Sequence, residues 1–197
     1  MIIGITGSVG TGKSTVSKLF EKKGSYRIDA DQLAREAVEK GRSPYRAVVR
    51  FFGKEILHRD GSIDRGKLAR IVFKNQKKLN TLNGFIHPYV IRRIKEKIRQ
   101  MRRRQKNPYI VVEVPLLHEA HLTGMFDKVV TVSCREGIQR RRWVRQRRRL
   151  ENLLERKRRQ LPLSYKKKHS DFFIDNNRSL QQTKTQVAHI WKVIHRI

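Results

Sequence analysis

The chain has 197 residues, enough for one α/β domain with an inserted subdomain, and 38% of them are hydrophobic. Its 47 Lys and Arg against 17 Asp and Glu give a formal charge of +30, which indicates polyanionic partners or a highly charged, basic surface facing the cytoplasm. The single cysteine, Cys134, excludes an internal disulfide and is consistent with a reducing compartment. An apolar strand begins at Ile2 and no apolar run reaches about 18 residues, so we expect a cytoplasmic protein with no signal peptide and no membrane span.

Five apolar segments predict β-strands, and helical patterns separate them. The segments are Ile2–Thr6, Tyr26–Asp29, Tyr109–Val114, Lys128–Ser133 and Phe172–Ile174. The third and fourth are continuous β-branched runs, which are typical of strands covered on both faces in a parallel sheet. The pattern predicts an α/β fold: a five-stranded parallel sheet with helices on both faces and ligands at the carboxyl ends of the strands.

The segment after the first strand reads Gly7-Ser8-Val9-Gly10-Thr11-Gly12-Lys13-Ser14, a complete G-x-x-x-x-G-K-[ST] phosphate-binding loop. Glycines let backbone N–H groups turn toward a polyphosphate, Lys13 can reach the β- and γ-phosphates, and the Ser14 hydroxyl can bind Mg²⁺. A glycine-rich turn with a surface lysine is the alternative, and the strand-loop-helix context argues against it. The predicted nucleotide-binding residues are Gly7, Val9, Gly10, Thr11, Gly12, Lys13, Ser14 and Thr15, with Ser14 also the metal ligand.

The interval between the second and third strands is too long for a simple crossover. It contains helical patterns at Asp31–Glu39, Pro44–Phe52, Arg65–Phe73, Lys77–Phe85 and Pro88–Arg104. Within a single domain of residues 1–197, we interpret residues 32–106 as a helical insertion that receives the acceptor substrate. The basic stretch at its end, Arg99 to Lys106, reads as a solvated helix end.

The motifs taken together resemble the dephospho-coenzyme A kinase family over nearly the whole chain. They are Gly4-Ile5-Thr6-Gly7 with the phosphate loop, Ile28-Asp29-Ala30-Asp31, Asp64-Arg65 with Leu68, Ile86-His87-Pro88, Pro115-Leu116-Leu117 with Glu119, Gln160-Leu161-Pro162 with Lys166 and Asp171, and Ile174-Asp175-Asn176. The phosphate loop alone indicates a large superfamily, whereas the joint order and spacing are specific. The resemblance implies a P-loop kinase that transfers the γ-phosphate of ATP to the ribose 3′-hydroxyl of dephospho-coenzyme A, with ATP and Mg²⁺ as cofactors.

The resemblance assigns the general base to Asp31, at the carboxyl end of the second strand. Kinase chemistry uses such a carboxylate to receive the proton of the acceptor hydroxyl. Asp29 would orient Asp31 or reach Mg²⁺ through water. Alternatively, Asp31 only caps the helix that begins at Gln32, because Asp is a favoured N-cap residue.

Further residues are assigned by the resemblance to the acceptor. Arg65 and His87 would bind the coenzyme A portion, where the planar donors of arginine suit a pyrophosphate. The alternatives are a surface ion pair of Arg65 with Asp64 and a capping or packing role for His87. Pro115, Leu116 and Leu117 would shape the acceptor cleft. Glu113 would contact Mg²⁺ through water or make a structural hydrogen bond.

The segment 139–168 is strongly basic and corresponds to the helical lid of the family. Arg142 best matches a lid arginine that contacts ATP and joins Lys13 and Asp31 in the predicted catalytic set. Lid closure would screen phosphate charge and exclude water. The family commonly has a short acidic turn after its second lid arginine, and here Gln146-Arg147-Arg148-Arg149 replaces it. The choice between Arg145 and Arg147 as the second contact therefore stays open.

Two rival functions fit parts of the sequence. One is a nucleic-acid-binding protein that uses ATP as a regulatory ligand, which the charge of +30 supports. The sequence contains no RRM, KH, zinc-finger or basic-zipper signature. We therefore expect a nonspecific attraction to polyanions rather than a dedicated nucleic-acid-binding function. The other rival is a P-loop kinase of another small acceptor. The sequence does not indicate the oligomeric state.

Overall fold

A computed structural model describes residues 1–145, 150–158 and 160–196. Its strands are β1 (Ile2–Thr6), β2 (Tyr26–Asp29), β3 (Ile110–Glu113), β4 (Lys128–Ser133) and β5 (Phe172–Asp175). Its α-helices are α1 (Lys13–Glu21), α2 (Ala30–Ala37), α3 (Ser43–Phe52), α4 (Arg65–Phe73), α5 (Gln76–Arg104), α6 (Glu136–Arg145), α7 (Leu150–Arg158), α8 (Leu163–Lys168) and α9 (Leu180–Ile194). Two 3₁₀ turns occupy Lys54–Ile56 and Thr123–Met125. Within those ranges no helix is both long and apolar enough to cross a membrane.

The five strands form one parallel sheet in the order β2-β3-β1-β4-β5, with β1 at the centre. The predicted strands and the α/β fold class are confirmed, with bounds that differ by one residue at the ends of β3 and β5. The register pairs both Ile5 and Asp29 with Glu113. Because parallel strands share a carboxyl edge, this register brings the acids of β2 and β3 beside the loop that follows β1.

The chain divides into two compact units, and the sheet lies in the first, residues 1–29 and 100–197. Helices α1 and α9 cover one face, where Val16, Phe20 and Ile190 join a buried cluster with Ile5 and Val130 of the sheet. Burying these apolar side chains supplies the main driving force for this layer. On the other face, the bare Cα of Gly4 faces Leu117 and Phe126. All positions of β1 and β3 are buried, as their continuous apolar sequences predicted.

The second unit, residues 30–99, is helical and has its own core. Val48, Ile56, Leu68 and Val72 are buried in a cluster with Val38, Phe52, Ile63 and Leu82. Helix α4 begins where predicted, because the Asp64 side chain caps it by accepting from the Lys67 backbone N–H at 2.9 Å.

One prediction in this unit is wrong: the two helices expected at Lys77–Phe85 and Pro88–Arg104 are one continuous helix, α5. A proline in a helix interior removes one hydrogen bond and disfavours the helix. Leu82 before Pro88 and Tyr89 and Val90 after it are all buried. A helix that continues through Pro88 keeps these side chains on one apolar stripe, and their burial stabilises it. Tertiary packing therefore overrides the local proline signal.

The contact made by Gly4 predicts that Gly4→Ala destabilises the protein. The added Cβ would lie 2.6 Å from Leu117 Cδ1 and 2.9 Å from the Phe126 ring, so these side chains must move. We expect the free energy of unfolding to fall by about 1–3 kcal/mol, the usual cost of overpacking, as measured by urea denaturation. Gly137→Ala is the control, because its Cβ would meet no atom within 4 Å. Equal stability of the two variants would contradict this description of the sheet face.

Candidate active site

The phosphate loop leads directly into the amino terminus of α1. Its N-cap residue, Gly12, is left-handed with φ 95° and makes no side-chain cap. The first N–H groups of a helix have no partner within the helix and, with the helix dipole, they favour an anion. Gly7 is required for a different reason, because a Cβ there would lie 2.1 Å from the backbone oxygen of Val132. The loop therefore has the geometry of an anion site.

Lys13 folds back over the loop. Its ammonium Nζ donates to the carbonyl oxygens of Gly7 at 3.1 Å and Ser8 at 3.0 Å, and the residue is only 7% exposed. This position holds a positive charge against the carbonyl oxygens at the start of the loop. A lysine here acts as a compact cation that a polyphosphate can approach.

Two residues distant in sequence, Asn176 and Arg142, donate hydrogen bonds to the Thr11 carbonyl of the loop. Asn176 Nδ2 donates to the Thr11 carbonyl at 2.8 Å, and Thr183 Oγ1 donates to Asn176 Oδ1 at 2.9 Å. Arg142, on α6, donates to the same Thr11 carbonyl at 3.1 Å and to the Asn176 carbonyl at 3.1 Å. A Cβ on Gly12 would lie 2.2 Å from Asn176 Nδ2, so this packing also requires glycine. The predicted ATP-contacting arginine thus lies against the phosphate loop.

The sole cysteine lies on the same side of the loop. The buried Cys134 Sγ is 3.7 Å from the Gly10 carbonyl, and Gln139 Nε2 donates to the Cys134 carbonyl at 3.0 Å. Burial raises the pKa of the Cys134 thiol, while the nearby positive charge of Arg142 opposes that shift. The thiol is therefore protonated at neutral pH.

An acidic network lies on the opposite side of the loop, at the ends of β2 and β3. Glu113 accepts hydrogen bonds from the hydroxyls of Ser14 at 2.6 Å and Ser17 at 3.0 Å. Arg27 forms ion pairs with Glu113 at 3.2 Å and with Asp29 at 3.1 Å, and its Nε donates to Ser17 at 2.9 Å. Glu113 is 6% exposed, so this charge is held in place by its partners.

The oxygen atoms of this network fit a magnesium ion. Ser14 and Glu113 offer adjacent hydroxyl and carboxylate oxygens, which are the ligand type that Mg²⁺ prefers. In the described part of the chain no group of three or more His, Cys, Asp and Glu side chains could hold a metal. A magnesium ion here would accordingly complete its octahedron with water and phosphate oxygens, as is usual for this ion.

The lid residues are only partly described. Arg142 is half-buried and Arg145 is exposed at the end of α6. Gln146, Arg147, Arg148 and Arg149 lie outside the described residues, and so does Arg159. The choice between Arg145 and Arg147 as the second ATP contact therefore stays a prediction.

The candidate acceptor residues Asp31, Arg65 and His87 belong to the second unit. Asp31 lies in the first turn of α2, which begins at Ala30, so it is not the N-cap of a helix starting at Gln32. Arg65 begins α4 and donates to the Arg35 carbonyl at 3.2 Å, and the Asp64 side chain serves as the helix cap.

His87 lies inside α5, which excludes a capping role there. Desolvation lowers the pKa of His87, so its imidazole is neutral at pH 7.

The segment after β3 lies in the first unit. The Pro115 carbonyl accepts from Thr6 Oγ1 and from Lys166 Nζ, each at 3.3 Å. Leu117 is fully buried over Gly4, whereas Pro115 and Leu116 are half-buried. Leu117 therefore has a packing role in the sheet layer in addition to the acceptor contact predicted for it.

Sequence reasoning missed Asn176, Arg27 and Gln160 as residues that contact the loop or its acids. Asn176 and Gln160 stood inside motifs of the family resemblance, which was the available signal. Arg27 carried no signal, because an arginine in a short strand reads as a solvent-facing side chain until β2 is placed beside β3.

The acidic network predicts that Arg27→Met destabilises the protein, because it leaves Glu113 and Asp29 without their shared cation. We expect a loss of about 1–3 kcal/mol in urea denaturation, and a smaller loss in a Glu113→Gln background. Arg140→Met is the control: it breaks the exposed pair with Glu136 and should cost nothing measurable. Purely additive effects of Arg27→Met and Glu113→Gln would show that the two side chains are not coupled.

Comparisons with known proteins agree with this geometry. The family described as dephospho-CoA kinase matches residues 1–182. A dephospho-CoA kinase of Carboxydothermus hydrogenoformans is 40% identical over 195 residues, covering 97% of this chain and 94% of the relative. The crystal structure of TT1252 from Thermus thermophilus superposes with a TM-score of 0.83 at 30% identity, covering 100% of this chain and 97% of that one. Dephospho-CoA kinase from Campylobacter jejuni gives 0.71 at 26% identity, covering 98% and 96%. The chain therefore belongs to the dephospho-CoA kinase family.

Proposed function

We propose that this protein transfers the γ-phosphate of ATP to the 3′-hydroxyl of the ribose of dephospho-coenzyme A, giving coenzyme A and ADP. Membership of the family makes the chain an ATP-dependent kinase. The observation that carries the specific reaction is similarity along 97% of the chain to a dephospho-CoA kinase, together with an intact phosphate loop. The acceptor is thus inferred from the family, and the nucleotide site from this chain's own residues.

In this proposal residues 7–15 hold the phosphates of ATP. The backbone donors of the loop and the amino terminus of α1 bind phosphate oxygens, and Lys13 moves from the Gly7 and Ser8 carbonyls onto the β- and γ-phosphates. Ser14 is the proposed Mg²⁺ ligand, and Glu113 orients its hydroxyl. The bound ion supplies neutralisation of phosphate charge.

Arg142 and the lid segment 139–168 complete the proposed ATP site. The Arg142 guanidinium donates to the Thr11 carbonyl of the loop, which supports a proposed contact with the phosphates of ATP. A fixed cation there stabilises charge that develops on the transferred phosphoryl group. Closure of the lid would exclude water, which otherwise competes with the acceptor hydroxyl for the phosphoryl group.

The acceptor residues remain assignments by family motif. Asp31 is the proposed base, on a helix that follows β2 directly, and segment 32–106 is the proposed acceptor-binding insertion. Arg65 would bind substrate phosphate, with Pro115, Leu116 and Leu117 forming the apolar wall of the cleft. His87 is neutral at pH 7 because burial lowers its pKa, so it would contribute a hydrogen bond rather than a charge.

The excess of positive charge needs a separate account. An ATP-regulated nucleic-acid-binding protein is not favoured, because the whole-chain relatives are small-molecule kinases. We propose instead that the charge of +30 attracts polyanions nonspecifically at low salt and that this attraction weakens steeply as salt rises.

The activity is tested by offering Mg²⁺–ATP with dephospho-coenzyme A and, separately, with shikimate and nucleoside monophosphates. We expect phosphorylation of dephospho-coenzyme A alone. Lys13→Ala should lower the rate at least a hundredfold, about 3 kcal/mol of transition-state stabilisation, because it removes the cation from the phosphates. Lys18→Ala, an exposed lysine on the same helix, is the control and should keep the wild-type rate. Turnover of another acceptor instead would overturn the proposed substrate.

The proposed base is tested by Asp31→Asn, which keeps the size of the side chain and cannot take a proton as a carboxylate does. We expect ATP binding to persist while the single-turnover rate at saturating ATP falls by roughly 10²-fold. Asp29→Asn should instead weaken Mg²⁺–ATP binding. Glu39→Gln, an exposed acid of the same unit, is the control. A rate for Asp31→Asn within about threefold of wild type, well under 1 kcal/mol, would leave Asp31 without a catalytic role.

A further inference from the structure

Three residues of the family motifs, Glu119, Gln160 and Lys166, have no role in the proposed reaction, and the structure brings them together beside the phosphate loop. Glu119 follows β3, Gln160 lies between α7 and α8, and Lys166 lies in α8. A cavity of about 320 Å³ adjoins the meeting point, with Ser8, Gln160 and Lys166 among its lining residues. All of these residues belong to the first unit.

Gln160 contacts the first half of the loop directly. Its side-chain Oε1 accepts from the Val9 backbone N–H at 3.0 Å and from the Ser8 hydroxyl at 2.9 Å. A backbone N–H can only donate, so the atom that faces Val9 must be the amide oxygen whichever way the amide is assigned. Gln160 therefore binds the loop as a two-fold acceptor.

A buried ion pair fixes the backbone next to Gln160. Lys166 is fully buried, with Nζ 2.8 Å from Glu119 Oε1 and 3.3 Å from the Pro115 carbonyl. The same Glu119 oxygen accepts from the Leu161 backbone N–H at 2.8 Å. A charge buried this deeply persists only when it is paired, so breaking the pair is costly and the pair is a rigid anchor. The anchor holds the residue that follows Gln160 in the chain.

We propose that Gln160 is a positioning residue for the phosphate loop and that the Glu119–Lys166 pair acts through it. A loop of glycines loses much conformational freedom when it orders, and a partner that orders it before ATP arrives reduces that cost. The two hydrogen bonds of Gln160 fix Ser8 and Val9, while Asn176 and Arg142 fix Thr11 farther along. The inference rests on the proposed function, because it assigns Gln160 to the same ATP site.

The direct test compares Gln160→Ala and Gln160→Glu with wild type. Hydrogen exchange of the nucleotide-free protein should show faster exchange over residues 7–12 in Gln160→Ala and wild-type protection in Gln160→Glu, which keeps an acceptor. Calorimetry should give about tenfold weaker ATP binding for Gln160→Ala, the loss expected for one or two hydrogen bonds. Gln160→Glu should bind ATP more weakly still, because its carboxylate repels phosphate.

The KM values for the two substrates distinguish a positioning role of Gln160 from a general loss of stability. In Gln160→Ala the KM for ATP should rise while the KM for dephospho-coenzyme A and the melting temperature stay near wild type. Gln181→Ala, an exposed glutamine on α9, is the matched control and should change none of these values. Unchanged or tighter ATP binding in Gln160→Ala would overturn the proposal, because the Gln160 side chain would then have no effect on ATP binding or would oppose it.

The anchoring role is tested by a double-mutant cycle on ATP affinity. Glu119→Gln should weaken ATP binding, and Gln160→Ala should add little in that background, because both act on the same contact. If Glu119→Gln does not fold, the combined Glu119→Gln and Lys166→Met variant removes both charges together and serves instead. Additive effects would overturn the coupling. If wild type binds ATP but does not phosphorylate dephospho-coenzyme A, the proposed function fails while exchange and calorimetry still decide the role of Gln160.

Discussion

An anion site needs backbone N–H groups from the phosphate loop and the start of α1, and the carbonyl oxygens of the loop accept from side-chain donors instead. Lys13 satisfies the carbonyls of Gly7 and Ser8, while Asn176 and Arg142 share that of Thr11. The strand order makes this arrangement feasible, because β1 at the centre of the sheet has β3 on one side and β4 on the other. The end of β3 and the segments that follow β4 and β5 therefore all reach the loop.

Acidic residues are scarce in this chain, and four of those in the first unit hold backbone or side-chain donors. Asp127 accepts the Ile2 backbone N–H at 2.6 Å, and Asp171 accepts that of Val129 at 2.8 Å while pairing with Lys128. Glu113 and Glu119 hold hydroxyl, cationic or backbone donors around the loop. With 47 cations against 17 acids, the chain as a whole carries a positive charge that favours its carboxylates.

Local patterns predicted the sheet well because β1 and β3 are buried at every position and read as uninterrupted apolar runs. The phosphate loop was predicted equally well, because its G-x-x-x-x-G-K-[ST] pattern is contiguous in the sequence. The single helix α5 was not, because the gain from burying Leu82, Tyr89 and Val90 on both sides of Pro88 is a tertiary effect. The contacts of Gln160 and Arg27 depend on pairings across large sequence separations, which no local spacing encodes.

The position of Cys134 makes its thiol a reporter of movement in the phosphate loop. The thiol is buried against the Gly10 carbonyl, and desolvation keeps it protonated at neutral pH, so alkylating reagents meet an unreactive sulfur while the loop is in place. Movement of the loop away from α6 would expose the same sulfur and remove the desolvation that raises its pKa. Because it is the sole cysteine of the sequence, its labelling rate reads out opening at this one location with no engineered probe.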